Sequence, residues 1–336
     1  MIKNKIQIKL LLFFFLYILQ LIHGFDVISW FVGDGQTSTY NFTIDKINWD
    51  IYTHIKSSYS YVYPNGSAYC NKNDIIIQKL TKLAHSHNRS IVWGLGLDLH
   101  QYLFINRNQT IINNYLNTIN RAMNDCNIDG IQVDYEFSTD KLGKYGIVTK
   151  EYSDTFTQFL ANLKSVIGNK TVSADIGIWG LHTGVYPLGF LPWINVDMLN
   201  AGKIDYVNIM SYQWDKHGDI SQYERDIYIL TKIWKIDPKR INLGIPYYTQ
   251  NLTGFFKTKI YNEPTWGELS KKCPNVDINQ NICDNILFVG KKMNQDIGRL
   301  VKENGLRGVF PWAANYDSVE YNNSLITWLA KGLYSI

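Results

Sequence analysis

Eight short runs rich in β-branched and aromatic residues, separated by longer amphipathic stretches, limit the folds open to this chain more than any other feature. The runs fall at 25–32, 53–62, 90–96, 129–136, 171–177, 205–212, 242–248 and 308–312, and helical periodicity fills gaps at 74–84, 111–123, 152–166, 223–234 and 295–303. Strands that alternate with helices pair in parallel, because only a crossover returns the chain to the same edge in the same direction. An α/β fold is therefore expected, a (β/α)8 TIM barrel over residues 25–336. One segment breaks the rhythm, at about 251–292 between the seventh and eighth runs, and its loop-like chemistry predicts a small insertion at the rim. No internal repeat, low-complexity linker or second domain is visible.

Residues 1–24 read as a signal peptide. Lys3, Lys5 and Lys9 precede an apolar run at 10–22 that ends in His23-Gly24, the order of a charged leader, an apolar core and a small residue at the cut. The run is shorter than the roughly 20 apolar residues of a membrane span, so after cleavage no membrane attachment is expected and the destination is extracellular or lysosomal; an uncleaved anchor is the alternative reading, and in either case the rest of the chain is exported. Seven Asn-x-Ser/Thr sequons, at Asn41, Asn65, Asn88, Asn108, Asn169, Asn251 and Asn322, agree with an exported glycoprotein.

Four cysteines remain, Cys70, Cys126, Cys273 and Cys283, an even count that suggests disulfides in such a chain. Cys273 and Cys283 bracket a short polar loop and are the favoured pair; Cys70 and Cys126 are left open. No Cys-x-x-Cys or His-x-x-x-His spacing occurs, and His85 and His87 stand two apart on a predicted helix, where they cannot face one metal. Gly94-x-Gly96 lacks the third glycine of a dinucleotide loop. Neither metal nor cofactor is expected. A net charge of +4 without a Lys/Arg cluster argues against nucleic acid as a partner, and the chain is expected to act as a monomer.

Barrel active sites gather at the C-terminal ends of the strands. The fourth run ends Asp129-Gly130-Ile131-Gln132-Val133-Asp134-Tyr135-Glu136, and a period of two sends 132, 134 and 136 to one face. With Ile131, Val133 and Tyr135 toward the helices, the polar face points into the barrel, where charge is costly unless it is used. Two close carboxylates do not ionise freely together, so one keeps its proton and becomes a general acid. A hydrogen-bonded structural pair, or a metal site built from Asp134 and Glu136, is the alternative reading of the same residues. The Gln132 amide is expected to donate to Asp134 and favour its charged form.

The segment 129–136 resembles the strand-four signature Asp-x-x-Asp-x-Asp-x-Glu of glycoside hydrolase family 18, the chitinases and di-N-acetylchitobiases. INWDIYTHI (47–55), IDYVNIMSY (204–212), INLGIPYY (241–248) and GLRGVFPWAANYD (305–317) resemble the segments at that family's second, sixth, seventh and eighth strands, in order. The resemblance implies a retaining hydrolase of β-1,4 linkages of N-acetylglucosamine in chitin, chito-oligosaccharides or the N-glycan chitobiose core, with the substrate's own 2-acetamido oxygen as nucleophile. It implies Glu136 as acid and base, Asp134 as the group that orients the acetamide, Tyr212 as donor to its carbonyl, and Trp312 and Met210 as the walls of the sugar pocket. Asp129 would support them from deeper in the strand. Two positions depart from the usual pattern: Gln132 and Gln213 stand where most members have Asp, which bears on substrate choice and sugar-hydroxyl contacts. The alternative is a non-catalytic chitin- or oligosaccharide-binding lectin on the same barrel.

Overall fold

In a computed structural model of the chain, residues 24–33, 42–59, 61–95, 108–135, 150–178, 193–212, 219–251 and 264–334 are described. The eight anticipated runs form β1 (Asp26–Trp30), β2 (His54–Tyr59), β3 (Ser90–Gly94), β4 (Gly130–Tyr135), β5 (Thr171–Gly177), β6 (Tyr206–Met210), β7 (Ile241–Pro246) and β8 (Gly308–Trp312). Every neighbouring pair is parallel, and β1 pairs with both β2 and β8, which closes the barrel. Helices α1 (Ile75–Ser86), α2 (Gln109–Asp125), α3 (Lys150–Ile167), α4 (Val196–Asn200), α5 (Ile220–Tyr228), α6 (Trp266–Lys272), α7 (Lys291–Glu303) and α8 (Leu325–Tyr334) lie between or after the strands. Asp74, Asn108, Asn195 and Asp219 cap α1, α2, α4 and α5 by accepting backbone N–H groups. No helix among the described residues is long and apolar enough to cross a membrane.

Alternation along the strands divides the interior in two. Val27, Ile55, Ile91, Trp93, Ile131, Val133, Ala174, Ile176, Val207, Ile209, Leu243 and Val309 point outward and pack with the buried faces of the helices, including Leu80, Tyr115, Ile119, Leu160 and Ile297, as one apolar layer. A separate and much smaller cluster, Ile28, Trp30, Tyr206, Phe310 and Ala313, lies within the barrel. Much of the remaining inward face is polar: Lys56, Gln132, Asp134, Asp175, Asn208 and Asn242 are all buried.

The N-terminal ends of the strands are tied by carboxylates. Asp129 Oδ2 accepts from Ile91 N at 2.8 Å and faces His85 Nε2 at 2.8 Å. Asp205 Oδ2 repeats the arrangement with Val172 N at 2.7 Å and Lys164 Nζ at 2.8 Å. Arg307 Nε donates to Asp26 at 2.5 Å. Next to Asp129, glycine at 130 is required by close approach, since a Cβ there would stand 1.9 Å from Thr171 Oγ1.

The described part of the insertion, Asn251 and residues 264–292, carries regular structure that its composition does not suggest. Short strands at Gln250–Asn251, Ile282–Cys283 and Ile286–Leu287 form an antiparallel three-stranded sheet, and α6 opens with a capping box of Thr265 and Glu268. Cys273 and Cys283 are bonded, as the spacing predicts, and Cys70 is bonded to Cys126, the residue that follows α2. The predicted helix at 223–234 starts as α5 and continues as a π-helical turn over Ile229–Ile233. Three helices escape the sequence reading, α4, α6 and α8.

Buried Asp317 closes the C-terminal end of the fold. Its carboxylate accepts from Ser318 N (2.7 Å), Leu325 N (2.7 Å), Ile326 N (3.0 Å) and Ser324 Oγ (2.9 Å), so it holds the first turn of α8. Burial pushes its pKa up to about 6 against the opposing pull of those donors. The folded state thus binds this proton more tightly than the unfolded chain, and the stability it brings is fully present below about pH 4 and lost as pH rises through about 6. Relative to Asp317→Asn, which does not titrate, the wild type is expected to lose about 3 kcal/mol across that window. Thermal melts of both proteins from pH 4 to 7 measure it, and parallel curves would rule the linkage out.

Candidate active site

β4 delivers its polar face to the barrel interior as the alternation demands. Gln132 is fully buried and Asp134 is 5% exposed, while Ile131 and Val133 sit in the outer apolar layer. Glu136 and Gln213 lie outside the described residues. Asp134 is the fifth residue of β4, near its C-terminal end, and Met210 ends β6. Buried Tyr212 follows two residues later with its ring edge-on to Tyr248, centroids 6.1 Å apart. Trp312 ends β8 and meets Trp30 edge to face at 5.2 Å. Asp134, Met210, Tyr212 and Trp312 thus stand at one mouth of the barrel. Asp129 does not join them: it sits at the opposite end of β4, on the bonds to His85 and Ile91 described above.

The neighbours of Asp134 are set by strand register. Asp134 is paired with Asp175 of β5, which is paired with Asn208 of β6. Asp175 Oδ1 accepts from Asn208 Nδ2 at 2.8 Å and from Gln132 Nε2, and its Oδ2 accepts from Lys56 Nζ at 3.0 Å. Asn242 Nδ2 continues the chain to Asn208 Oδ1 at 2.9 Å, and Ser173 Oγ donates to Gln132 Oε1 at 3.4 Å. The Gln132 amide therefore goes to Asp175, not to Asp134 as the sequence reading expects. Barrel strands are tilted, so an inward side chain meets a diagonal neighbour on the adjacent strand. A residue two places along its own strand is a full pleat repeat away, roughly 6.6 Å.

Lys56, Asp175, Asn208 and Asn242 were missed by sequence reasoning, although the signal that marks β4 also marks them. In Thr171–Gly177, Ser173 and Asp175 alternate with Val172, Ala174 and Ile176; in Tyr206–Met210, Asn208 falls between Val207 and Ile209. A polar residue at every second place of a buried strand means an inward polar face, whichever strand carries it.

A parallel eight-stranded barrel with a carboxylate at the mouth of its fourth strand suits several hydrolytic families, and the comparison with known sequences decides among them. The profile of the glycosyl hydrolases family 18 matches residues 27–317. The chain belongs to that family. Among solved structures, a chitinase from Bacteroides thetaiotaomicron superposes with a TM-score of 0.71 at 17% identity, over 92% of this chain and 96% of that one. The family 18 chitinase from the chitin utilization locus of Flavobacterium johnsoniae gives 0.68 at 19% identity, over 93% and 94%. A plant class V chitinase mutant from Cycas revoluta, in complex with (GlcNAc)3, gives 0.70 at 14% identity, over 91% and 98%. No curated protein sequence gives a significant match. At these identities the likeness is one of fold, and family 18 membership rests on the sequence profile.

Proposed function

We propose that the chain is a retaining glycosidase that cleaves β-1,4 linkages of N-acetylglucosamine by substrate-assisted catalysis. The observation that carries this reading is Asp134: a carboxylate buried at the C-terminal mouth of β4 in a family 18 barrel, two residues before Glu136. Glu136 protonates the leaving oxygen and later draws a proton from the attacking water. Asp134 orients the acetamide so that its carbonyl oxygen attacks the anomeric carbon, and stabilises the positive charge that spreads over the resulting ring. Tyr212 donates to the same carbonyl, Trp312 forms the floor under the sugar, Met210 lines the pocket and Gln213 contacts a sugar hydroxyl. Gln132 and Asp129 act behind them, the first on Asp175, the second by fixing β4 against β3.

Residues 1–24 act as a signal peptide, and 25–336 as the catalytic barrel, exported to the cell exterior or the lysosome. Support comes from the sequons: Asn65, Asn88, Asn108, Asn169 and Asn322 are all exposed. Two disulfides agree with an oxidising compartment. The decisive experiment incubates the purified protein with a fluorogenic chitobioside beside a chitin pull-down. Release of the fluorophore with retained anomeric configuration is expected; retention on chitin without release would establish the lectin instead.

A further inference from the structure

The barrel interior holds a buried ion pair that the reaction as proposed leaves without a task. Lys56 and Asp175 are 0% and 1% exposed with Nζ and Oδ2 3.0 Å apart. A lysine is almost never buried so completely, because its ammonium gives up its water. Here the ammonium also lies 3.3 Å over the ring of Trp30, the aromatic that touches Trp312. Both carboxylate oxygens of Asp175 are engaged, one by Lys56 and the other by Asn208 and Gln132. Its plane is fixed by donors from three strands.

Asp134 and Asp175 are register partners on adjacent parallel strands and both are buried within the barrel. Their backbones are therefore about 4.8 Å apart. Across the eight barrel strands the lysines and arginines number one, Lys56, and the carboxylates are Asp26, Asp134 and Asp175. Asp26 is taken at the far end by Arg307. Two neighbouring carboxylates in a dry interior would share a proton, and the cation on one of them prevents it.

We propose that Lys56 and Asp175 are positioning residues for Asp134, a neutral ion pair laid beside it that keeps it a separately charged carboxylate. This deepens the reading of Asp134 as the acetamide-orienting group and rests on it. The other titratable groups around the pair are His54, next inward residue below Lys56 on β2, Tyr206 on β6, and Tyr212 beyond its end. Burial holds His54 below the usual histidine value, and it holds Tyr206 above the usual tyrosine value, so the tyrosine is neutral where the carboxylates titrate. β1 and β8 add Trp30, Phe310 and Trp312, β3 adds Val92 and β7 adds Asn242, none of them ionisable. Glu136 follows Asp134 by two residues and lies outside the described residues.

The signs are opposite for the two partners. Asp175→Asn leaves the Lys56 ammonium as an unbalanced cation in the interior it shares with Asp134, favours the charged form of Asp134, and is expected to move the acidic limb of kcat/KM down by about 1 to 3 pH units. Lys56→Met leaves Asp175 without its cation beside Asp134 and is expected to move the limb up by about as much. Lys56→Met/Asp175→Asn removes both charges and is expected to bring the limb back to the wild-type position. A purely structural pair would lower melting temperatures without shifts of opposite sign, so limbs that superimpose, or that move the same way in both single variants, overturn the proposal. Breaking a buried pair destabilises more than replacing it, so a measurement on the wild-type protein stands beside the variants. The assigned 13C carboxyl resonance of Asp134 is expected at the ionised position at neutral pH, and a resonance at the protonated position overturns the proposal. That measurement needs no turnover, so it can fail while the glycosidase stands, and an inactive wild type can sink the glycosidase without touching it.

Discussion

Glu136→Gln is expected to lower kcat on an unactivated chito-oligosaccharide by about 10²-fold to 10⁴-fold, the usual worth of a positioned proton donor. Binding of the same oligosaccharide should be largely kept, because the amide fills the space of the carboxyl and loses only its proton. The fall belongs in kcat, since protonation of the leaving oxygen is complete only in the transition state. Steady-state kinetics with a binding titration on the same preparation separates the two. Near-normal turnover in this variant would move the acid elsewhere in the chain.

A second large effect is expected on the substrate side. If the acetamide oxygen is the nucleophile, a cellobioside matched in length to a chitobioside offers no attacking group. It should then be inert under conditions where the chitobioside turns over. A thiazoline made from N-acetylglucosamine copies the bicyclic intermediate and should inhibit competitively, since the site binds best what resembles the reacting state. Side-by-side assays of the two glycosides decide the point: comparable rates mean that a protein carboxylate attacks instead.

The barrel was legible because parallel strands buried on both faces write themselves as compact apolar runs, and all eight runs became barrel strands. Helices α4 and α6 escaped because they span 5 and 7 residues, too short for a 3.6-residue period to show. Helix α8 is apolar around most of its surface, with every residue from Leu325 to Leu333 buried except Trp328 and Lys331, and so lacks the polar stripe that marks an amphipathic helix. In the site, Asp134 was found because Gln132 and Glu136 flank it in one visible pattern. Lys56 and Asp175 lie 119 positions apart, so each alone looks like an isolated polar residue in an apolar strand. Their meeting depends on the shear of the barrel, which no local window contains.

The division of the interior into an outer apolar layer and a polar lumen also means that adjacent residues of one strand answer to different demands. Ile176 and Asp175 are neighbours in the chain, yet one belongs to the packing of strands on helices and the other to the charge balance beside Asp134. Outward positions can drift among apolar side chains of similar volume without disturbing the chemistry, and inward positions can change the chemistry without dismantling the layer that holds the fold. Heat tolerance and acid tolerance are therefore open to separate adjustment along the same eight strands, one by odd steps and the other by even.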